Sequence, residues 1–252
     1  EHKNFYITTP IYYVNDVPHI GHAYTTIICD TIANYNRWLG KDVNFLTGTD
    51  EHGQKVEKSA LAAGIPPQEF TNNVSKSFLE LTEKLEINNN DFIRTTDLRH
   101  KKAVKSLWQK LEDTGDIYLD KYSGWYSIRD EAFYSNDEIV ENSNGKKVAS
   151  NGSEVEWVEE PSYFFKLSAW QDKLIEFYKN NPDFVSPKSR YNEVLSFVNK
   201  GLEDLSVSRT TFQWGITVPS NDKHIIYVWL DALTNYLSGV DYPNTNAENW
   251  NK

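Results

Sequence analysis

The chain has 252 residues, 39% hydrophobic and 14% aromatic, the balance of a packed globular protein with room for one large domain or two ordinary ones. Its 26 basic against 36 acidic residues give a net charge of −10, which argues against holding nucleic acid mainly by a positive global field and leaves only a local basic face. The single cysteine, Cys29, excludes an internal disulfide and a four-cysteine zinc site, and with no apolar run near ~18 residues and no signal-peptide start, a soluble intracellular protein is expected.

In chain order, Asn4 to Thr8 predicts a buried strand, stopped by Pro10. From Gly21 to Leu39 the residues Tyr24, Ile27, Ile28, Thr31, Tyr35 and Trp38 recur at three- and four-residue spacing, predicting a helix that buries this stripe and closes at Gly40. A short strand from Val43 to Leu46 completes a strand–helix–strand unit, and hence a parallel α/β sheet. Residues 54–114 read as mostly helical, interrupted at Gly64-Ile65-Pro66-Pro67 and at the turn-prone run Asn88-Asn89-Asn90-Asp91. The last of these helices starts near Thr96 and Asp97, buries Val104, Leu107, Trp108 and Leu111, and ends at Gly115. Ile117 to Trp157 reads as a β-rich insertion with hairpin signals at Gly124, Asn144-Gly145 and Asn151-Gly152. Helical patterns at about 168–180 and 192–202 follow, then a strand-like run from Ile225 to Val228 and a helix start at Leu230, where the α/β pattern resumes.

Two segments carry the chemistry. Pro18-His19-Ile20-Gly21-His22 lies where the first strand's loop enters the first helix, at the crevice where α/β proteins bind ligands. Helix amides, the bare Gly21 backbone and two imidazoles suit a polyphosphate; the competing reading is a histidine cap plus a surface histidine. Thr47 to Gly53 ends the second strand and faces the same crevice, where Asp50 and Glu51 could bind an ammonium group or a ribose, or merely cap the helix that starts at Gln54. Neither GxGxxG nor GxxxxGK[ST] occurs, so the usual dinucleotide and P-loop sites are not supported.

These segments resemble the methionyl-tRNA synthetase family of class I aminoacyl-tRNA synthetases. Tyr6 to Asn15 is similar to that family's opening strand and loop, His19-Ile20-Gly21-His22 to its ATP signature, and Thr47 to Gly53 to its second-strand motif. Gly124 to Glu131 and Glu159 to Phe165 resemble its connective insertion, and Asp204 to Arg209 and Tyr227 to Leu233 complete a likeness that runs through almost the whole chain. The resemblance implies a Rossmann-type catalytic fold begun by residues 1–116, a mixed α+β connective insertion over 117–225, and the start of the fold's second half in 226–252. It also implies a fragment, because the chain stops before the family's KMSKS loop and anticodon-binding domain.

The implied activity is ATP-dependent activation of L-methionine and its transfer to tRNA(Met), with ATP and Mg²⁺, no zinc, and no membrane, in the cytoplasm or an organellar matrix. By the same resemblance Ile11, Tyr13, Trp229, Ala232, Leu233 and Tyr236 would line the methionine pocket, and Asp50 would hold the ammonium group. Arg209 would lie near the reacting carboxylate and α-phosphate, His19 and His22 would hold ATP phosphates, and Gly21, Glu51 and Gly53 would border adenosine. Read without the resemblance, the stripe Trp229, Ala232, Leu233, Tyr236 is more commonly a plain core face. The alternatives are a nucleotidyltransferase with the same His-x-Gly-His, or a noncatalytic module that binds an amino acid or RNA. Arg94, Arg99, Lys101, Lys102 and Lys105 form either an RNA-facing cluster or, more commonly, a solvated helix face, and Cys29 reads as a small buried apolar residue.

Overall fold

The computed structural model describes residues 3–142 and 144–251. Its parallel sheet is organised around one strand: β1 (Asn4–Thr8) and β2 (Tyr12–Tyr13) follow one another along one edge of β3 (Asp42–Asp50), and β4 (Asp91–Arg94) lies along the other. Thr8 pairs with Leu46, Tyr13 with Asp50, and Ile93 with Gly48. With both edges used, every residue of β3 from Phe45 to Asp50 is buried, as in other central parallel strands. The strand runs four residues past the expected end at Leu46. Its polar continuation survives burial by pairing, Thr47 Oγ1 lying 2.8 Å from Thr9 Oγ1 and Thr49 Oγ1 3.1 Å from Ser75 Oγ. β4 was hidden by the asparagine run before it, which reads as a turn. β1 is half-exposed rather than buried, because only its β3 side is paired among the described residues.

Helix α1 (Ile20–Trp38) corrects a second expectation. Its buried residues are Ala23, Thr26, Ala33 and Asn36, small enough to seat the helix close on Val43 and Phe45. The larger stripe points away, with Tyr24 67%, Tyr35 56% and Trp38 82% exposed. Periodicity finds an apolar face, but which face is covered depends on the neighbour, and nothing among the described residues covers this one. Cys29 is half-buried beside the same cluster.

Helices α2 (Gln54–Ala63) and α3 (Pro67–Lys84) pack Val56 and Phe78 against Tyr12 and Val14. Helix α4 (Leu98–Asp113) buries Val104 and Trp108, as its spacing predicts. The basic cluster around it is partly neutralised within the fold: Arg94, at the end of β4, pairs with Glu51, and Arg99 of α4 with Asp91.

Antiparallel strands follow. β5 (Ile117–Ser127) pairs with β6 (Ala132–Tyr134) and, over ten residue pairs, with β9 (Glu156–Phe165); between them β7 (Ile139–Glu141) and β8 (Lys147–Ala149) form a small hairpin. Gly124 lies inside β5 opposite Val158, not in a turn. After α5 (Gln171–Asn180) and α6 (Lys188–Asn199), β10 (Leu205–Ser206) returns to β9. Strands β11 (Ser208–Arg209), β12 (Thr217–Val218) and β13 (Asn221–Ile226) form a separate antiparallel sheet, so the strand expected at Ile225 does not rejoin the parallel one. Helices α7 (Val228–Leu233), α8 (Asn235–Ser238) and α9 (Glu248–Asn251) follow, α7 beginning two residues before the expected Leu230. A core of Val104, Trp108, Ile117, Tyr163, Val207 and Ile226 joins α4 to both antiparallel sheets.

Gly48 marks the tightest approach in the sheet, since a Cβ there would stand 1.9 Å from the Ile93 carbonyl oxygen. Gly48→Ala is therefore expected to cost about 3 kcal/mol or more, beyond ordinary overpacking, because the neighbour is backbone. Urea unfolding would reveal this, and a midpoint equal to that of the unsubstituted chain would refute the close approach.

Candidate active site

The carboxyl end of β3 passes directly into the buried turn that leads to α2. Glu51, fully buried, accepts from Arg94 Nε at 2.7 Å and Nη2 at 3.0 Å, from Thr49 Oγ1 at 2.8 Å and from Thr96 Oγ1 at 2.5 Å. Four donors saturate a carboxylate, so the side chain expected to border adenosine has its acceptor positions committed within the fold. Neither acid caps α2: its N-cap is Gly53 at φ 110°, without a side-chain cap, and Glu131 Oε1 instead accepts from Lys55 N at 3.1 Å. A Cβ on Gly53 would meet that Glu131 oxygen at 2.7 Å, so the glycine serves both the backbone and the approach of Glu131.

Asp50 differs from Glu51. Burial, then the charges of Asp231, Glu131 and Glu51, push its carboxyl well above the usual carboxylate range. It lies on the wall of a 580 Å³ cavity shared with Tyr13, Glu131, Arg209, Trp229, Ala232 and Leu233. A cationic ligand group there would restore the ionised form. Ile11 and Tyr236, expected beside these residues, do not line this cavity; α7 ends at Leu233 and Tyr236 belongs to α8, so the i+7 repeat does not continue along one helix.

Arg209 is 2% exposed. Its Nη1 donates to Ser206 Oγ at 2.7 Å and the Ser208 carbonyl at 2.6 Å, and its guanidinium carbon lies 3.8 Å from the Tyr227 ring centroid and 4.5 Å from that of Phe133. The aromatic cage holds the cation at the cavity wall, with its Nε facing Glu160 Oε1 at 3.8 Å.

Among the four signature residues, the geometry realises the histidine cap. His19 is the N-cap of α1, its Nδ1 accepting from Gly21 N at 3.0 Å, while His22 Nδ1 accepts from His19 N at 3.0 Å. The amides of His19 and Gly21 are thereby committed. Because both Nδ1 atoms accept, both neutral rings carry their proton on Nε2, which leaves two N–H donors for an anion. Burial, then His19, holds the His22 pKa below the ordinary imidazole value. Capping and phosphate binding are therefore compatible, through side-chain donors rather than the amides. β2 links the two sites by alternation: Tyr12 sets its ring 4.8 Å from His22, and the next residue, Tyr13, donates to Glu131 Oε1 at 2.9 Å beside Asp50.

Sequence reasoning missed Glu131, Tyr227, Asp231 and the side chain of His52. Glu131 at φ 48° has no local signal, since its position depends on the turn between β5 and β6 packing against Gly53. A second cleft of 640 Å³ lies at the amino ends of β1 and β3, beside Asn4 and Asp42, the end of a parallel sheet where ligands are not expected. Among the described residues no three His, Cys, Asp or Glu side chains are grouped to hold a metal ion, and no helix is long and apolar enough to cross a membrane.

The profile of the family described as tRNA synthetases class I (M) matches residues 5–252. A methionine–tRNA ligase of Rickettsia typhi is 62% identical over 97% of the chain and 48% of its own length; that of Mesorhizobium japonicum is 52% identical over 98% and 48%. Mycobacterium tuberculosis methionyl-tRNA synthetase bound by methionyl-adenylate superposes with a TM-score of 0.95 at 50% identity, covering 98% of this chain and 49% of that one. The chain thus spans about half the length of the relatives it matches. With the family profile matched almost end to end and the site geometry in place, this chain belongs to the class I tRNA synthetases of the M family.

Proposed function

We propose that the chain is the amino-terminal catalytic portion of a methionine–tRNA ligase, which activates L-methionine with ATP and transfers it to tRNA(Met). The observation that carries this reading is one cavity that sets a buried carboxyl, Asp50, against an apolar wall of Tyr13, Trp229, Ala232 and Leu233. An ammonium group answers the first and a thioether, which packs well on ring edges, answers the second. The likeness to the adenylate-bound mycobacterial protein, at TM-score 0.95, supports the same reading.

In the proposed reaction a methionine carboxylate oxygen attacks the α-phosphorus of ATP, the bond to the bridging oxygen breaks, and pyrophosphate leaves. The protein contributes position and charge and no covalent nucleophile. Asp50 anchors the amino group, and the Nε2–H groups of His19 and His22 donate to the phosphates. Arg209 orients the attacking carboxylate, and Gly21 and Gly53 border adenosine. The tRNA 3′-terminal hydroxyl then attacks the acyl carbon and AMP leaves. Magnesium would arrive on the triphosphate. We take the insertion to fold on its hairpins and apolar packing, without zinc, and the ligase to work in the cytoplasm or an organellar matrix.

Methionine-dependent exchange of pyrophosphate into ATP by the full-length ligase tests the reading; exchange driven equally by other amino acids would contradict it. Asp50→Asn removes the ammonium partner, and losing a charge-assisted hydrogen bond of about 1.5 to 3 kcal/mol predicts roughly ten- to a hundred-fold weaker activation. The raised Asp50 pKa fixes the sign of the effect on folding: the ionised form is disfavoured in the folded state, so a neutral amide should leave the neutral-pH unfolding midpoint unchanged or higher. A lower midpoint would assign Asp50 to the scaffold. These 252 residues alone, which do not include the lysine-bearing KMSKS loop, are expected to exchange at about 1% of the full-length rate or less; comparable rates would show that the loop is dispensable.

A further inference from the structure

Asp231 lies on α7 at 1% exposure, and each of its carboxylate oxygens meets a different imidazole. His52 Nδ1 stands 2.6 Å from Oδ2, and His100 Nε2 stands 2.8 Å from Oδ1. His100 in turn places Nδ1 3.0 Å from Ser238 Oγ on α8. His52 and His100 are themselves only 6% and 0% exposed, so the cluster is shielded from solvent. The three elements it joins matter. His52 follows Asp50 by two residues in the same buried strand end. His100 stands in the first turn of α4. On α7, Trp229, Ala232 and Leu233 line the cavity, and at 100° per residue Asp231 projects from the opposite side. One carboxylate therefore ties the strand end that bears Asp50 to the helix that bears the apolar wall.

None of the three side chains is free to shift alone, because moving one leaves a buried carboxylate or imidazole without its partner, and an unpaired buried charge is strongly disfavoured. Turning α7 by a single residue would break both bonds to Asp231. We propose that Asp231, with His52 and His100, forms a positioning cluster that fixes the separation between the amino-group anchor and the side-chain wall, and so sets affinity for the amino acid. This deepens the proposed reading of the cavity as an amino-acid site and rests on it. Direct contact with substrate is not part of the role.

Kinetics of the full-length ligase separate this role from a merely structural one. Asp231→Ala should raise the methionine KM about ten- to a hundred-fold while the ATP KM stays within about three-fold. Asp231→Asn should recover most of the loss, since its amide oxygen accepts from one imidazole and its NH₂ donates to the other in the alternative tautomer. Should Asp231→Ala fail to fold, His52→Ala, which frees the Asp50 turn while His100 still holds α7, should give the same split. Methionine and ATP KM rising together, a lower melting temperature with methionine KM unchanged, or an asparagine variant no better than alanine would overturn the proposal. A parent enzyme without methionine-dependent exchange would instead refute the amino-acid reading itself.

Discussion

The structure depends on burying the polar carboxyl end of β3. A sheet places its ligand site beyond the strand ends, and here the end is also the centre of the protein, so each polar atom of Thr49 to Gly53 needs a partner from elsewhere in the chain. Val14 N bonds the Asp50 carbonyl, Thr95 Oγ1 accepts from Glu51 N, Trp214 Nε1 donates to the Glu51 carbonyl at 2.6 Å, and the Trp214 carbonyl accepts from Gly53 N. Partners thus arrive from the residue after β2, from the turn between β4 and α4, and from the loop after β11. Satisfying one five-residue turn brings distant parts of the chain into register.

That accounting also separates the two acids. Glu51 has two cationic nitrogens and two hydroxyls on its oxygens and is structural. Asp50, in the same turn, faces the cavity, has acidic neighbours, and holds its proton more tightly than a solvated carboxyl. Within low-dielectric surroundings, a carboxyl whose charge lacks compensation is suited to a cationic ligand that supplies it. Neighbouring positions in one strand end therefore differ in kind, one committed to the fold and the other facing a cavity.

The strand–helix–strand beginning and the positions of both candidate segments at strand and helix ends are legible because they depend on local signals: β-branched and aromatic runs, 3.6-residue periodicity, and glycines at required turns. The α1 face was misread because Tyr24, Tyr35 and Trp38 describe the helix correctly but say nothing about what covers it. β13 was placed in the parallel sheet because a short apolar run carries no information on the direction of its neighbours. At the site, Asp50, Tyr13, Trp229, Ala232, Leu233 and Arg209 converge on one cavity. Tyr236 does not, since the helix breaks before it. Glu131, His52 and Asp231 were illegible for a different reason: their pairings span 118 residues from Tyr13 to Glu131 and 179 from His52 to Asp231, far beyond any local pattern.

The central claim is that Asp50 and the α7 wall receive the two ends of one amino acid. A crystal structure of the full-length protein with a non-hydrolysable methionyl-adenylate analogue tests it most directly. The account predicts the analogue's ammonium group within about 3 Å of the Asp50 carboxylate, the range of a charge-assisted hydrogen bond, with the thioether against Tyr13 and Trp229. An analogue seated elsewhere, or one whose ammonium group is bound by Glu131 while Asp50 faces only protein, would contradict it.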